Sequence, residues 1–463
     1  MTAVPDRVLQ RAALSLAVIS SFVTPVMASA VNLALPALGA DLGLTAVTLS
    51  WVQTSYLLST AVFVLPAGRL ADIHGRKRVF VWGMAVFGLA SLLASLAPGA
   101  ALIMTARVVQ GLGSAMIFAT GMAILSAAFP PGQRGRAMGV AVASIYIGLS
   151  LGPLLGGALT QHLGWRSVFA LGAPFSALAL WVALGRLKAE WAEAAGESFD
   201  LAGSLIYGLG LVAIIEGLAL LPSPLGLGLI AVGLGLLLAF AWWEGRAPAP
   251  VFHMHLLRRN RPFALSCLAA MINYAATFAV TFLLSLYLQQ VKGLSPQQAG
   301  LVLAVQPMMM ALFSPLAGRL SDRVQPRIVA SLGMGLTALG LSALSLLRAD
   351  SGLGYITLCL VINGVGFGVF SSPNMNAIMS SVEQRYYGIA SGAVASMRIL
   401  GQMTSMGVAT SMLAVYVGHV RLAASNQAGL LASLQAAFVI FAALCVAGMF
   451  ASLSRGKLPG GGE

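Results

Sequence analysis

The chain has 463 residues, 59% of them hydrophobic and only 8% charged, with a net charge of +13. An ordinary soluble domain carries about 25% charged residues, so a soluble protein this poor in charge could not cover its surface, and no sizeable soluble domain fits. The excess of Arg and Lys does not mark a nucleic-acid binder either. These residues sit in short connectors between apolar runs without interleaved aromatics, which is the usual sign of membrane topology.

The first apolar run, 12–36, follows Arg7 and Arg11 and passes through Ala28-Ser29-Ala30, a sequence like a signal-peptide cleavage site. It continues through Val31-Asn32-Leu33-Ala34-Leu35-Pro36, too far for a signal segment, so a retained first span is expected. Thirteen more runs follow: 49–67, 79–97, 101–129, 137–160, 167–185, 201–221, 225–243, 262–290, 298–317, 328–347, 354–379, 388–417 and 433–453. Each is near the roughly 20 residues a spanning helix needs, and none shows the alternation of a barrel strand. The expected fold is an all-α membrane protein of 14 transmembrane helices. With the N-terminus in the cytoplasm, most Arg and Lys fall on that side, so both ends are expected there.

Between runs two and three lies Gly68-Arg69-Leu70-Ala71-Asp72-Ile73-His74-Gly75-Arg76-Lys77-Arg78. Between runs ten and eleven, Gly318-Arg319-Leu320-Ser321-Asp322-Arg323 repeats its Gly, Arg, Leu and Asp in place. Gln133-Arg134 recurs as Gln384-Arg385, and Ala141-Val142-Ala143-Ser144 as Ala393-Val394-Ala395-Ser396. Spans one to six therefore match spans nine to fourteen. This predicts two pseudo-symmetric six-helix bundles, 1–198 and 251–463, with spans seven and eight as an inserted hairpin over 199–250. Duplicated bundles suit alternating access to a midplane site.

In the charged loops, Gly68 and Gly75 allow tight turns. Asp72 among Arg76 and Arg78, with Asp322 and Arg323 in the second copy, has the makings of a conformational latch, since a carboxylate pairs with arginine or a helix N-terminus. Arg107 and Arg398 lie inside spans four and thirteen. A charge at mid-bilayer costs about 2.5–3.5 kcal/mol on insertion scales, so each should face a partner or a wet cavity. Gly148, Gly152, Pro153, Gly156 and Gly157 crowd span five, where spacing of four permits close helix contact and the proline permits bending. Glu216 is the only carboxylate well inside a span. With Arg107 and Asp41 it is a candidate for proton coupling. Asn32, Gln53, Tyr56, Phe118, Tyr146, Asn273, Phe278, Gln306, Asn374 and Arg398 are the candidate cavity lining. Cys267, Cys359 and Cys445 lie in apolar runs without ligand spacing. His253 and His255 lack a third ligand, and no nucleotide loop or nucleophile–base arrangement appears. No catalytic residue, metal or cofactor is expected.

These motifs resemble the major facilitator superfamily, in particular its fourteen-span drug:proton antiporter branch. The 68–78 loop is similar to that family's hinge motif. Arg107-Val108-Val109-Gln110-Gly111-Leu112-Gly113 resembles its fourth-span motif, in which the arginine is implicated in proton coupling. Gly148 through Gly157 resembles the fifth-span antiporter motif, and Leu288 through Gly300 also looks like this branch. The resemblance implies a proton-coupled multidrug exporter of a bacterial inner membrane, active as a monomer, taking small amphipathic molecules from the bilayer or cytoplasm. One departure stands out: Met27 occupies a first-span position where related exporters commonly carry an acid. A cavity with Arg107 and Arg398 and no core carboxylate should prefer neutral or anionic amphiphiles to quaternary cations. Export of a single endogenous metabolite or lipid, and a non-transporting sensor, remain as alternatives.

Overall fold

In hydrocarbon a backbone finds no partner but itself, so the apolar runs close into helices. A computed structural model describes residues 7–247, 250–251, 260–321, 323–382, 387–418, 420 and 426–455. Asp322, the Gln384-Arg385 pair and both His253 and His255 lie outside them. The N-terminal elements are α1 (Arg7–Leu42), α2 (Ala46–His74), α3 (Arg76–Ser95), α4 (Ala100–Ala128), α5 (Pro131–Leu163), α6 (Trp165–Ala170) and α7 (Gly172–Gly185). Then come α8 (Leu201–Ala219) and α9 (Pro224–Glu244). The rest are α10 (Arg261–Leu286), prolonged by a π turn at Tyr287–Val291, α11 (Pro296–Ser321), α12 (Pro326–Leu344), α13 (Leu353–Ser380), α14 (Tyr387–Tyr416) and α15 (Gln427–Leu453).

These are the fourteen expected crossings, the sixth split at Leu171 into α6 and α7. Ends differ from the apolar runs because polar turns continue a helix beyond the hydrocarbon. The 36 residues of α1 extend about 54 Å at 1.5 Å per residue, well past a core of about 30 Å. Side chains start several helices by accepting an orphan N–H: Thr45 caps α2, Asp200 caps α8, Ser223 caps α9 and Asn260 caps α10. Among the described residues thirteen helices, with α6 and α7 as one, are long and apolar enough to span a membrane. The one outside that set is α14, whose sequence is broken by Arg398, Gln402, Thr404, Ser405, Thr410 and Ser411.

Packing repeats between the halves. The pairs α1·α5, α2·α4, α3·α4 and α3·α7 have their counterparts in α10·α14, α11·α13, α12·α13 and α12·α15. The halves meet along α5 with α11 and along α2 with α14. The α8–α9 hairpin packs on itself and sets α8 against α2 and α14. Only 17% of the apolar window of α9 is buried, against 67% for the stretch Arg261–Val291. So α9 is peripheral and α10 central.

The crowded glycines of α5 divide between two neighbours. A Cβ on Gly148 would come 2.7 Å from the Phe22 carbonyl oxygen, and one on Gly156 2.5 Å from that of Ala30; Gly152 fits against Ser29 in the same row. That face seats α5 on α1. Gly157 faces the other way: its Cβ would stand 2.5 Å from the Pro296 carbonyl oxygen of α11, and Gly300 closes on Pro153 in return. The spacing of four thus makes one seam, and the extra glycine makes a second, across the halves.

Candidate functional site

Arg107 enters α4 as a fully buried cation, 1% exposed. Its Nε donates to the Val52 carbonyl at 2.8 Å, Nη1 to Gln110 Oε1 at 2.6 Å and Nη2 to Gln53 Oε1 at 3.0 Å. Its guanidinium carbon stands 4.3 Å from the centre of the Tyr56 ring. The shell is ordered in turn: Gln110 donates to Ser91 at 2.7 Å, Gln53 to the Ala28 carbonyl at 3.2 Å, and Tyr56 and Ser114 share a 2.7 Å bond. The charge is thus held by neutral oxygens and a π face, with no carboxylate in contact among the described residues. Such a group keeps its long-range field, which a tight ion pair would cancel.

Arg398 is half-buried on α14. Its guanidinium carbon lies 5.0 Å from the centre of the Phe118 ring across the interface of the halves, and its Nε has no hydrogen-bond partner. It stands close enough to Tyr56 and Tyr274 to act on both electrostatically. Tyr274 packs edge-on to Phe367 at 5.3 Å. Tyr146 reaches from α5 to Ser371 at 3.0 Å and Ser314 at 3.4 Å in the other half. Both amide atoms of Asn273, Asn32 Oδ1 and Gln306 Oε1 are buried without partners. An unpaired buried polar group costs about 1–3 kcal/mol, so each of these orphaned amides is a place where a polar ligand or water would be taken up.

The halves are tied at the end opposite the charged loops. Ser285 donates to the Asn32 carbonyl at 2.7 Å, Thr410 to Ser50 at 3.0 Å, Gln289 to the Leu33 carbonyl at 3.3 Å and the Ala46 N–H to the Val420 carbonyl at 3.0 Å. At the charged end α5 turns exposed faces outward around Arg136, Val140 and Val142, and a Cβ on Gly135 or Gly139 would meet nothing within 4 Å. Among the described residues the printed bonds between the halves thus close the end opposite the charged loops.

The first charged loop does engage a partner. Arg76 donates to Asp72 Oδ1 from Nε at 3.1 Å and Nη2 at 3.0 Å, and Nη2 also reaches Glu193 at 3.0 Å. Arg69 meets Glu197 at 2.6 Å. Glu190 accepts from the backbone N–H groups of Lys77 at 2.8 Å and Arg78 at 3.2 Å, capping α3. Backbone bonds Arg76 N–H to Trp191 O and Ala194 N–H to Asp72 O, both 2.9 Å, complete the clasp. The strap between α7 and α8 thus covers the loop, a role for Glu190, Glu193 and Glu197 that reading the loop alone did not foresee. Its signal was three of the chain's 13 carboxylates at helical spacing just after a basic connector. Gly75, at φ +110°, is the turn that fits beneath: a Cβ there would lie 2.5 Å from Glu190 Cδ. Gly75→Ala should therefore cost about 1–3 kcal/mol, read as a lower unfolding temperature of the purified protein. Gly164→Ala, also at positive φ (+81°) but with nothing within 4 Å, should cost less.

The remaining candidates are dispersed. Asp41 closes the far end of α1, accepting from Trp165 Nε1 at 3.0 Å and Arg166 Nη1 at 2.7 Å. Glu216 is exposed on α8 and lines a groove with Ser55, Met104 and Val108. Phe278 packs against the core. Gly68 meets only Ala119, at 3.9 Å, and Arg323 is exposed. Asn374 belongs to another buried cluster, accepting at 2.9 Å from Arg455 Nη1, which also donates to Ser266 at 2.9 Å.

The Major Facilitator Superfamily family model matches residues 17–406 and again 266–459. The riboflavin transporter RibZ of Clostridioides difficile (strain 630) is 30% identical over 93% of this chain and 94% of its own. Multidrug resistance protein Stp of Mycobacterium tuberculosis (strain CDC 1551 / Oshkosh) is 33% identical over 84% and 73%. A crystal structure of a mutant peptide transporter POT in complex with sulfate shares the fold, with a TM-score of 0.68 at 16% identity over 94% and 93%. By its helix order, its paired halves and these matches, the chain belongs to the Major Facilitator Superfamily of multi-pass membrane transporters.

Proposed function

We propose that this transporter is a proton-coupled exporter of neutral or anionic amphipathic organic molecules, working by alternating access in a bacterial inner membrane with both termini cytoplasmic. The observation that carries this reading is the electrostatics of the central site. Arg398 faces the Phe118 ring with its Nε unpaired, and no described carboxylate pairs with it. A cation there attracts anions or hydrogen-bond acceptors and repels cations. Substrate enters from the charged end, taken as the cytoplasmic mouth. Arg107 couples that step to proton movement through the Gln53–Tyr56 wall it shares with the cavity. Asp72 and its loop, released from the acidic strap, latch the opposite conformation. Asp41 is engaged by Trp165 and Arg166, Glu216 is exposed on α8, and neither bonds to Arg107, so the reading assigns the coupling to Arg107.

The test is uptake into inverted vesicles under an imposed pH gradient, using a matched trio of anionic, neutral and quaternary-cation dyes. The anionic and neutral dyes should accumulate and the cation should not. Arg398→Ala should lower anion flux about tenfold and neutral flux about twofold. Gradient-driven accumulation of the cation alone would defeat the reading. A second reading, export of one metabolite, is favoured by the likeness to a riboflavin transporter along almost the whole chain. It predicts that riboflavin or one related compound outcompetes every dye in the panel.

A further inference from the structure

Where α3 and α7 pack together in the first half, they leave a groove of about 460 Å³ at the charged end. Its floor is apolar, made by Val81, Trp82 and Leu184. Its rim is cationic, made by Lys77, Arg78 and Lys188, with Glu190 beside them. The two sets are ordered along the helices. Lys77 and Arg78 stand in the first turn of α3, with Val81 and Trp82 a turn further in; Leu184 lies in the last turn of α7, and Lys188 follows on the strap. Trp82 is 67% exposed and Leu184 65%. Trp181, a turn before Leu184 on α7, is exposed as well, with the Arg186 guanidinium carbon 4.8 Å from its ring centre. Exposed tryptophans near helix ends mark the level at which lipid headgroups meet their chains.

Two observations set this groove apart from an ordinary basic rim. Its one carboxylate is already engaged: Glu190 accepts from the backbone N–H groups of Lys77 at 2.8 Å and Arg78 at 3.2 Å, and stands 4.0 Å from Arg78 Nε. It cannot swing over to neutralise the lysines without uncapping α3. Lys77 and Lys188, in turn, have no ion pair among the described residues, although they come to the groove from different segments. Three cations thus border one concave space that holds a single fixed acid.

We infer that this groove is a binding site for an anionic phospholipid. The phosphodiester lies between Lys77 and Lys188, and the first carbons of the chains lie over Val81, Trp82 and Leu184. Lysines and arginines at a membrane surface attract acidic lipids, and their stems follow apolar surface while their heads reach the headgroup. The apolar floor calls for a tail, which a free phosphate lacks. A zwitterionic lipid fits less well, because its ammonium would stand among three cations while Glu190 is held by α3. The inference rests on the membrane fold alone, and not on the direction or cargo of transport.

The experiment is native mass spectrometry of the purified full-length protein in detergent, titrated with phosphatidylglycerol or with phosphatidylcholine of the same chains. The first phosphatidylglycerol should bind at least about tenfold more tightly than phosphatidylcholine, from the attraction of two unpaired lysines to an acidic lipid. The double variant Lys77→Gln, Lys188→Gln should abolish that preference, and its unfolding temperature without lipid should match the parent's, since neither side chain holds an ion pair. Trp82→Ala should weaken binding of the lipid about threefold through the lost apolar floor. The control is Arg261→Gln with Arg319→Gln, which removes the same charge at exposed positions of the other half and should leave the preference in place. Equal binding of the two lipids, or an equal loss in the control, would overturn the inference. So would displacement of the lipid by excess inorganic phosphate, since that would give the groove to a soluble anion.

Discussion

Arg107→Lys will leave the protein in the membrane and lower its flux by at least about tenfold. Lysine keeps the charge, so a role that needed only a positive field would survive the change. Arg107, however, sends three separate donors to Val52, Gln110 and Gln53 and lays its plane on Tyr56. An ammonium on a flexible stem cannot reach all three in that arrangement. Each hydrogen bond to a charged group is worth about 1.5–3 kcal/mol, and about 1.4 kcal/mol is tenfold in rate or population. Losing even one such bond therefore accounts for the predicted change. Flux in inverted vesicles, normalised to protein in the membrane, is the measurement; near-normal flux in the lysine variant would sink the coupling role. Arg107→Ala should do more, because it also strands the Gln53, Gln110 and Val52 oxygens in the core, and the unfolding temperature should fall with the flux.

A crosslink between Ser50→Cys and Thr410→Cys should stop transport completely, and a reducing agent should restore it. The two hydroxyls are already 3.0 Å apart, at the shut end of the molecule, on helices from opposite halves. Joining them removes every conformation in which that end opens. The native Cys267, Cys359 and Cys445 are buried and should not compete for the oxidant. Either single variant should transport normally under the same oxidant. If the crosslinked protein still cycled, the two halves would not part at this end and alternating access as described would be wrong.

The helices were legible in the sequence because each is a long apolar stretch between turn signals, and that pattern survives without knowledge of any neighbour. The halves were legible because the Gly-Arg-Leu-Asp loops and Ala-Val-Ala-Ser stretches keep their spacing. Arg107 with Gln53 and Tyr56 was half legible: an arginine in a span must face something, but that its partners are amides and a ring rather than an acid is settled only by packing. Distant partners were hidden. Glu190, Glu193 and Glu197 belong to no span and no repeat, so nothing local marked them as the cover of the 68–78 loop. Asn374 looked like cavity lining from its depth, yet depth does not fix direction, and it turns toward Arg455. Ser50 and Thr410 are single hydroxyls among many, and only the approach of α2 to α14 makes them a bond.

One consequence concerns the two extra crossings. Tyr207, low on α8, donates to the Ala61 carbonyl of the first half at 3.1 Å, while Ser411 of the second half donates to the carbonyl of Leu218, near the top of the same helix, at 2.5 Å. A single rod is therefore pinned to both halves at different heights. In the proposed alternating-access cycle, parting of the shut end requires α8 to drop one of its moorings or tilt between them. On that cycle the hairpin acts as a strut whose two bonds oppose opening, a resistance that a carrier built without it would never meet.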